Sequence, residues 1–264
     1  MKIKHLLCFI ALCLFFTPGK AQQLSVMTLR NGATVYIWED KSKPDVFGMI
    51  AFKVGSVDDP EQYTGLAHYL DVMFKGTQTI DALDWEKEKP IYEKIIAKYD
   101  ERAALSDPAA REAVDKEIND LTREAAQYAA GNEFSLLVDH MGGQGLNAST
   151  GYDQTEYHNS FPPSQLEKWL EIYSERLIDP VFRGFQTELE AVYEEYNMYN
   201  DDRGSRMREF IYEQAFGDHP YARPIIGLPE HLKNPQLSKL IDFYNTWYGP
   251  QNMSIILVGN IDAK

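Results

Sequence analysis

The stretch Thr64-Gly65-Leu66-Ala67-His68-Tyr69-Leu70-Asp71-Val72-Met73-Phe74-Lys75-Gly76-Thr77 places an imidazole and a carboxylate three positions apart. Thr64 can cap a helix that begins at Gly65 and carries Ala67, His68, Leu70 and Asp71. Residues three apart on a helix share a face, so His68 and Asp71 can be presented together. The flanks of this helix decide what kind of domain holds it.

Upstream, two strands are predicted between Leu29 and Gly55. Thr34 to Trp38 follows the turn signal Asn31-Gly32, and Val46 to Val54 is apolar, β-branched and aromatic. Asp58-Asp59-Pro60 reads as a loop. Downstream, residues 85 to 130 are rich in Glu, Lys and Ala. Ile91, Ile95 and Tyr99, then Val114, Ile118, Leu121, Ala125 and Tyr128, fall at helical spacing. Between the two runs, Asp107 is an N-cap and Pro108 a first helical residue. This segment reads as a helical hairpin inserted into the domain, with its charges on solvated faces.

Gly142-Gly143-Gln144-Gly145 reads as a flexible turn, and Leu146 to Phe161 as strands around Gly151-Tyr152-Asp153. Ser164-Gln165-Leu166-Glu167 has the form of a capping box. The helix it opens sets Leu166, Trp169, Leu170 and Tyr173 on one side. Further helices are predicted from about Phe185 to Asn200 and from about Arg206 to Phe216. A last apolar strand covers Met253 to Val258. Strand pairs mixed with helices predict an α+β fold, a mainly antiparallel sheet with helices packed on one face. Periodicity leaves the strand order open.

The chain has 264 residues, enough for one large domain or two small ones. Residues 1–21 read as a signal peptide: Lys2 and Lys4, an apolar run from Leu6 to Phe16, then Gly19-Lys20-Ala21. The run is too short to span a bilayer. Both cysteines, Cys8 and Cys13, lie inside it, so the mature chain has no disulfide and no thiolate metal site. Its removal takes away Lys2, Lys4 and Lys20 and no acid, moving the net charge from -14 to -17. Such acidity argues against nucleic acid and against an anionic membrane surface. No later segment is long and apolar enough to span a membrane. The expected location is periplasmic or extracellular, and residues 22–264 are read as a single domain.

A series of short signals then falls in a telling order. It runs Asn31-Gly32, Gly65-Leu66-Ala67-His68, Phe74-Lys75-Gly76-Thr77, then Gly142-Gly143 with Asn147-Ala148-Ser149-Thr150, and Asp153 with Thr155. It continues with His219-Pro220-Tyr221, Gly227 with Leu232, Tyr248 with Pro250 and Asn252-Met253, and Val258-Gly259. From about Leu29 to Asp262 the chain resembles the N-terminal domain of insulinase/pitrilysin zinc metallopeptidases. The family motif is His-x-x-Glu-His on a helix. Its two histidines hold one zinc ion, its Glu is general base on a zinc-bound water, and a downstream Glu is the third ligand.

Carried onto this chain, the resemblance makes His68 and Glu195 metal ligands, Asp71 the occupant of the general-base position and Glu188 a supporting acid. Seven residues are about 700° of helix, about 20° short of two turns, so Glu188 and Glu195 share a face. The plain alternative is two of many surface acids on an acidic helix. In the family, Asn147-Ala148-Ser149-Thr150 lies on an edge strand to which an extended peptide substrate can add. The plain alternative there is an ordinary sheet strand. His140, His158, His219 and His231 have no metal-ligand spacing and read as structural.

The chain departs from the motif at its centre. It reads His68-Tyr69-Leu70-Asp71-Val72, with Asp for Glu, no second histidine, and one residue fewer before Phe74. Loss of three bases across a Glu-His codon boundary, GAA-CAC to GAC, produces this in one step. A gene comparison with an intact relative tests it; two separate substitutions without a length difference would exclude it. Zinc, the family's cofactor, is therefore expected to bind weakly or not at all, with Asp71 as a third oxygen ligand the open alternative. The resemblance also implies a second peptidase-like domain or subunit that closes the chamber, and it is not expected within these residues. Three functions stay open. One is an impaired zinc endopeptidase domain. Another is a non-catalytic peptide-binding or assembly subunit paired with an active relative. The last is an active metallopeptidase with an atypical His68, Asp71 and Glu195 site.

Overall fold

Alternation of inward apolar and outward side chains builds the sheet. In β2 (Thr34–Glu39) Val35 and Ile37 are buried; in β3 (Val46–Phe52) Val46, Ile50 and Phe52 are; in β5 (Thr155–Phe161) Tyr157 and Phe161 are. This period of two is what a sheet with one covered face requires. β1 (Leu24–Thr28), β4 (Gln144–Thr150) and β6 (Met253–Gly259) complete six strands in the order β1-β2-β6-β3-β5-β4. Only β2 and β6 pair in parallel, so the expected mainly antiparallel sheet is found. The computed structural model describes residues 24–73 and 76–263. The signal-peptide reading of residues 1–21, and Phe74-Lys75, lie outside the described residues.

Helices cover the inner face. α1 (Leu66–Met73) packs on β4 and β5. The expected hairpin is present as α2 (Trp85–Ala104) and α3 (Pro108–Ala125), with the Asp107 carboxylate accepting the Ala110 N–H at 3.0 Å. After α4 (Glu133–His140), α5 (Leu166–Arg176) lays Trp169 flat on Phe161, ring centroids 5.1 Å apart. Gly48 makes room for it, since a Cβ there would sit 2.6 Å from the Trp169 ring. The indole N–H of Trp169 and the hydroxyl of Tyr173 both donate to Asn159 Oδ1, at 2.7 and 2.8 Å. α6 (Phe185–Asp201), α7 (Arg203–Phe216), α8 (Pro229–Leu232) and α9 (Leu237–Trp247) complete the helices. Among the described residues no helix is long and apolar enough to cross a membrane.

Four local expectations are corrected. Ser164 does not cap a helix: Pro163–Gln165 form a 3-10 turn, and α5 starts at Leu166 without a side-chain cap. β4 already begins at Gln144, so only Gly142-Gly143 remain as the turn. α7 starts at Arg203, three residues early, because Asp202 is its N-cap and accepts the Ser205 N–H at 2.7 Å. Finally, Thr64 does not cap α1. Its hydroxyl oxygen accepts the Leu228 N–H at 2.9 Å and lies 2.8 Å from His231 Nδ1.

Asp59 does the capping instead. Its Oδ2 accepts the Gly65 N–H at 2.7 Å and its Oδ1 the Ala67 N–H at 3.0 Å. Gly65 turns into the helix at φ +93°, and a Cβ there would lie 2.6 Å from the Ile226 carbonyl. Asp59 is 4% exposed. Burial pushes its carboxyl up to about 7, against the pull of the two amides and the Arg223 guanidinium. Asp59→Ala removes the acceptor of two helix-terminal amides and is expected to cost about 1–2 kcal/mol in urea unfolding. A carboxyl whose folded pKa exceeds its unfolded 3.8 stabilises most below that value and loses the contribution as pH rises through about 7. The advantage of the parent over Asp59→Ala should therefore shrink between pH 4 and pH 8; a widening gap would contradict this assignment.

Candidate functional site

With its start fixed by Asp59, α1 turns His68 and Asp71 into a cleft of about 470 Å³. α6 brings Glu195 to the same cleft, and β4 brings Ala148, Ser149 and Thr150. His68 Nε2 lies 3.5 Å from Glu195 Oε2. Asp71 Oδ2 accepts the Thr150 hydroxyl at 2.5 Å. Burial raises the Asp71 carboxyl above the ordinary aspartate range; His68 and the Thr150 hydroxyl pull it down, and Glu195 pushes it up. Val72 turns away from the cleft and packs against the hydrophobic core.

Two of the candidate residues stand apart. Glu188, two turns before Glu195, does not line the cleft; its charge is felt at the buried Tyr69 hydroxyl, behind α1. Asn147 lies on β4 with its side chain exposed and outside the cleft. The other histidines have structural settings. His231 accepts from Thr64, His219 Nδ1 accepts the Tyr221 N–H at 3.2 Å, and His158 sits 5.4 Å from the Phe47 ring. His140 ends α4.

β4 is an edge strand: it pairs with β5 and with no other described strand. Its register is broken between Gln144 and Asn147 and regular from Asn147 to Thr150. Leu146, Ala148 and Thr150 are half-buried while Asn147 and Ser149 are exposed. The regular, open part of the edge is thus the part beside the cleft.

The sequence pattern did not single out Tyr152, Tyr199, Ser205, Arg208, Glu209 or the Pro224–Ile226 segment, which also line the cleft. Tyr199 had a usable signal, since it lies one turn after Glu195 and shares its face. The residues of α7 had none, because their place depends on how that helix docks.

Zinc chemistry can be tested against these donors. A catalytic zinc takes three protein ligands and an open position. Here His68 and Glu195 adjoin, while the Asp71 carboxylate is engaged by Thr150. Among the described residues no group of three or more His, Cys, Asp or Glu side chains is gathered to hold a metal ion. His68 Nδ1 is buried without a hydrogen-bond partner among them, whereas a zinc-bound histidine ordinarily donates that proton to an oxygen. The residues present do not fit a three-ligand zinc centre.

Comparison with known proteins bears on the family. The family model "Insulinase (Peptidase family M16)" matches residues 119–228, and "Peptidase M16 inactive domain" matches residues 236–264. The chain belongs to the insulinase/pitrilysin family. The match to the first model begins after α1, so His68 to Val72 lie outside it. The zinc protease PqqE of Helicobacter pylori is 24% identical over 243 residues, 90% of this chain and 44% of that protein. The probable zinc protease PqqL of Escherichia coli is 30% identical over 145 residues, 51% of this chain and 15% of that protein. Among solved structures, a protease from Helicobacter pylori superposes with a TM-score of 0.68 at 22% identity, covering 92% of this chain and 47% of that one. Pitrilysin superposes with a TM-score of 0.65 at 21% identity, covering 93% of this chain and 22% of that one. These superpositions show the insulinase-type fold. The chain spans less than half the length of these relatives.

The contact between α1 and β4 has a direct test. A double-mutant cycle of Thr150→Val and Asp71→Ala is expected to return a coupling of about 1 kcal/mol or more in urea unfolding. A coupling of zero would mean that the Thr150 hydroxyl is not bonded to Asp71.

Proposed function

We propose that this chain is the peptide-holding domain of an insulinase-family protein in which zinc-dependent hydrolysis is lost or severely impaired. The open, regular edge of β4 beside the cleft carries the proposal. An extended peptide that adds to such an edge is gripped by main-chain hydrogen bonds, largely independent of its sequence. That grip needs no metal. His68 and Glu195 form one wall of the groove, and Asp71 ties α1 to the end of β4 through Thr150.

A second peptidase-like domain or subunit is proposed to close the open side of the groove. The short span of this chain relative to its relatives supports that arrangement. Export is proposed from the signal-peptide pattern of residues 1–21. It is supported by a structural neighbour, the PqqL protease of Escherichia coli, which is described as periplasmic. An active site built from His68, Asp71 and Glu195 would need the three side chains to converge on one ion, and among the described residues they are not gathered to do so, so it is not the reading preferred.

Two measurements test the proposal. Along a strand, successive N–H groups point to opposite sides, so of Ala148 and Ser149 one donates outward and the other into the sheet. Ala148→Pro and Ser149→Pro should therefore divide. One should abolish binding of a dye-labelled extended peptide with the fold intact, and the other should destabilise the β4–β5 pair. Unchanged binding in both would remove the edge-strand reading. Zinc content of the purified protein, after dialysis without chelator, is expected below about a tenth of an equivalent. Near one equivalent, lost in His68→Ala or Glu195→Ala, would restore the metal site and with it the case for hydrolysis.

A further inference from the structure

One permanent charge in the cleft takes no part in gripping a peptide backbone. Arg208, on the second turn of α7, lines the cleft together with Ala148, Ser149 and Thr150. Its planar guanidinium offers five N–H donors in a fixed fork and no acceptor. Among the described residues no carboxylate pairs with it and no hydrogen bond holds it. Its charge is nonetheless felt at Tyr152 and Tyr199, both in the cleft, and at Glu209.

The helix that carries Arg208 is clamped with this side inward. Tyr212, one turn further along, stacks on Tyr152 with centroids 5.2 Å apart and planes 11° apart. Residues four apart on a helix share a face, so Arg208 is on the face of α7 that meets the β4–β5 turn. Beyond α7, the Tyr221 hydroxyl donates to Asp153 Oδ2 at 2.6 Å and fixes the same turn. Of the three acids that line the cleft, Glu195 adjoins His68 and Asp71 accepts from Thr150, while Glu209, like Asp202 at the helix start, feels the charge of Arg208 without forming an ion pair with it among the described residues. An unpaired guanidinium therefore faces a groove edged by a strand that takes extended peptides.

We propose that Arg208 is a specificity-determining residue that selects a carboxylate in the peptide added to β4, either an aspartate or glutamate side chain or a free C-terminus. This rests on the peptide-holding reading. Planar guanidinium and carboxylate meet through two parallel N–H···O bonds. Alternate side chains of an added strand point to the same side, so one position of the peptide would face Arg208 in each register.

The test is fluorescence anisotropy of the full chain with dye-labelled decapeptides of alternating threonine and valine. Each carries Glu, Gln or Lys at one central position and ends in an amide; a Gln peptide ending in a free acid is the fourth member. Salt is held at about 0.15 M so that the overall negative charge of the protein is screened. The Glu peptide, the free-acid peptide, or both should bind about tenfold tighter than the amidated Gln peptide. Whichever gains identifies the source of the carboxylate. Arg208→Met should abolish the gain and leave the amidated Gln peptide unchanged, and Arg208→Glu should turn the preference to Lys. Arg208 is exposed, so both variants should keep the unfolding midpoint of the parent. Equal affinities across the set, or a uniform loss in Arg208→Met, would overturn the selection while leaving the edge strand in place. Absence of binding by every peptide would overturn both.

Discussion

The buried carboxylate of Asp59 sets the geometry on which the cleft depends. It holds the first turn of α1 by two amides, and Arg223 donates to the carbonyls of Ser56, Val57 and Asp59 around it. That knot fixes the angle at which α1 leaves the loop. The angle decides that His68 meets α6 and that Asp71 meets the last residue of β4. A helix of eight residues has little cooperative stability of its own. Its direction is supplied by tertiary contacts at both ends, Asp59 at the start and Thr150 along its length.

The same constraint explains what the altered motif means physically. If, as the sequence reading expects, one residue is missing between His68 and Phe74, the downstream part of the helix is rotated by about 100°. Val72, which follows Asp71 where the motif would carry its second histidine, is half-buried and packs against the core. On the proposed reading, α1 uses for packing a face where the family motif requires a ligand. Packing and coordination compete for the same face of α1, and in this chain packing holds it.

Much of the fold was legible because its signals are local. Asp107-Pro108 marks a helix start wherever it occurs, and the inward residues of β2, β3 and β5 repeat with period two. β1 escaped notice because it is an edge strand with almost every residue exposed, so it carries no alternation. The caps misled for a specific reason. Thr64 and Ser164 each have the right side chain at the right spacing, but a carboxylate five residues before Thr64 reaches α1 first, and Pro163 bends the chain into a 3-10 turn before Ser164 can act. The site divides in the same way. His68, Asp71 and Glu195 could be placed on shared faces from helical geometry. Glu188 could not be separated from them by spacing alone, because its neighbour Tyr69 comes from another helix. Arg208 and Tyr152 enter through the docking of α7, which no sequence window contains.

The interruption in β4 has a consequence for life in solution. A strand edge that accepts a visiting peptide offers the same unpaired groups to another copy of the protein, and long flat edges invite sheet-to-sheet association. Between Gln144 and Asn147 the ladder loses its register, and Gly145 there adopts φ +65°. This irregularity bends the first part of the strand away. The stretch available for pairing is cut to the few residues at the cleft. The distortion rations the edge: short enough to resist runaway stacking, long enough to hold one guest.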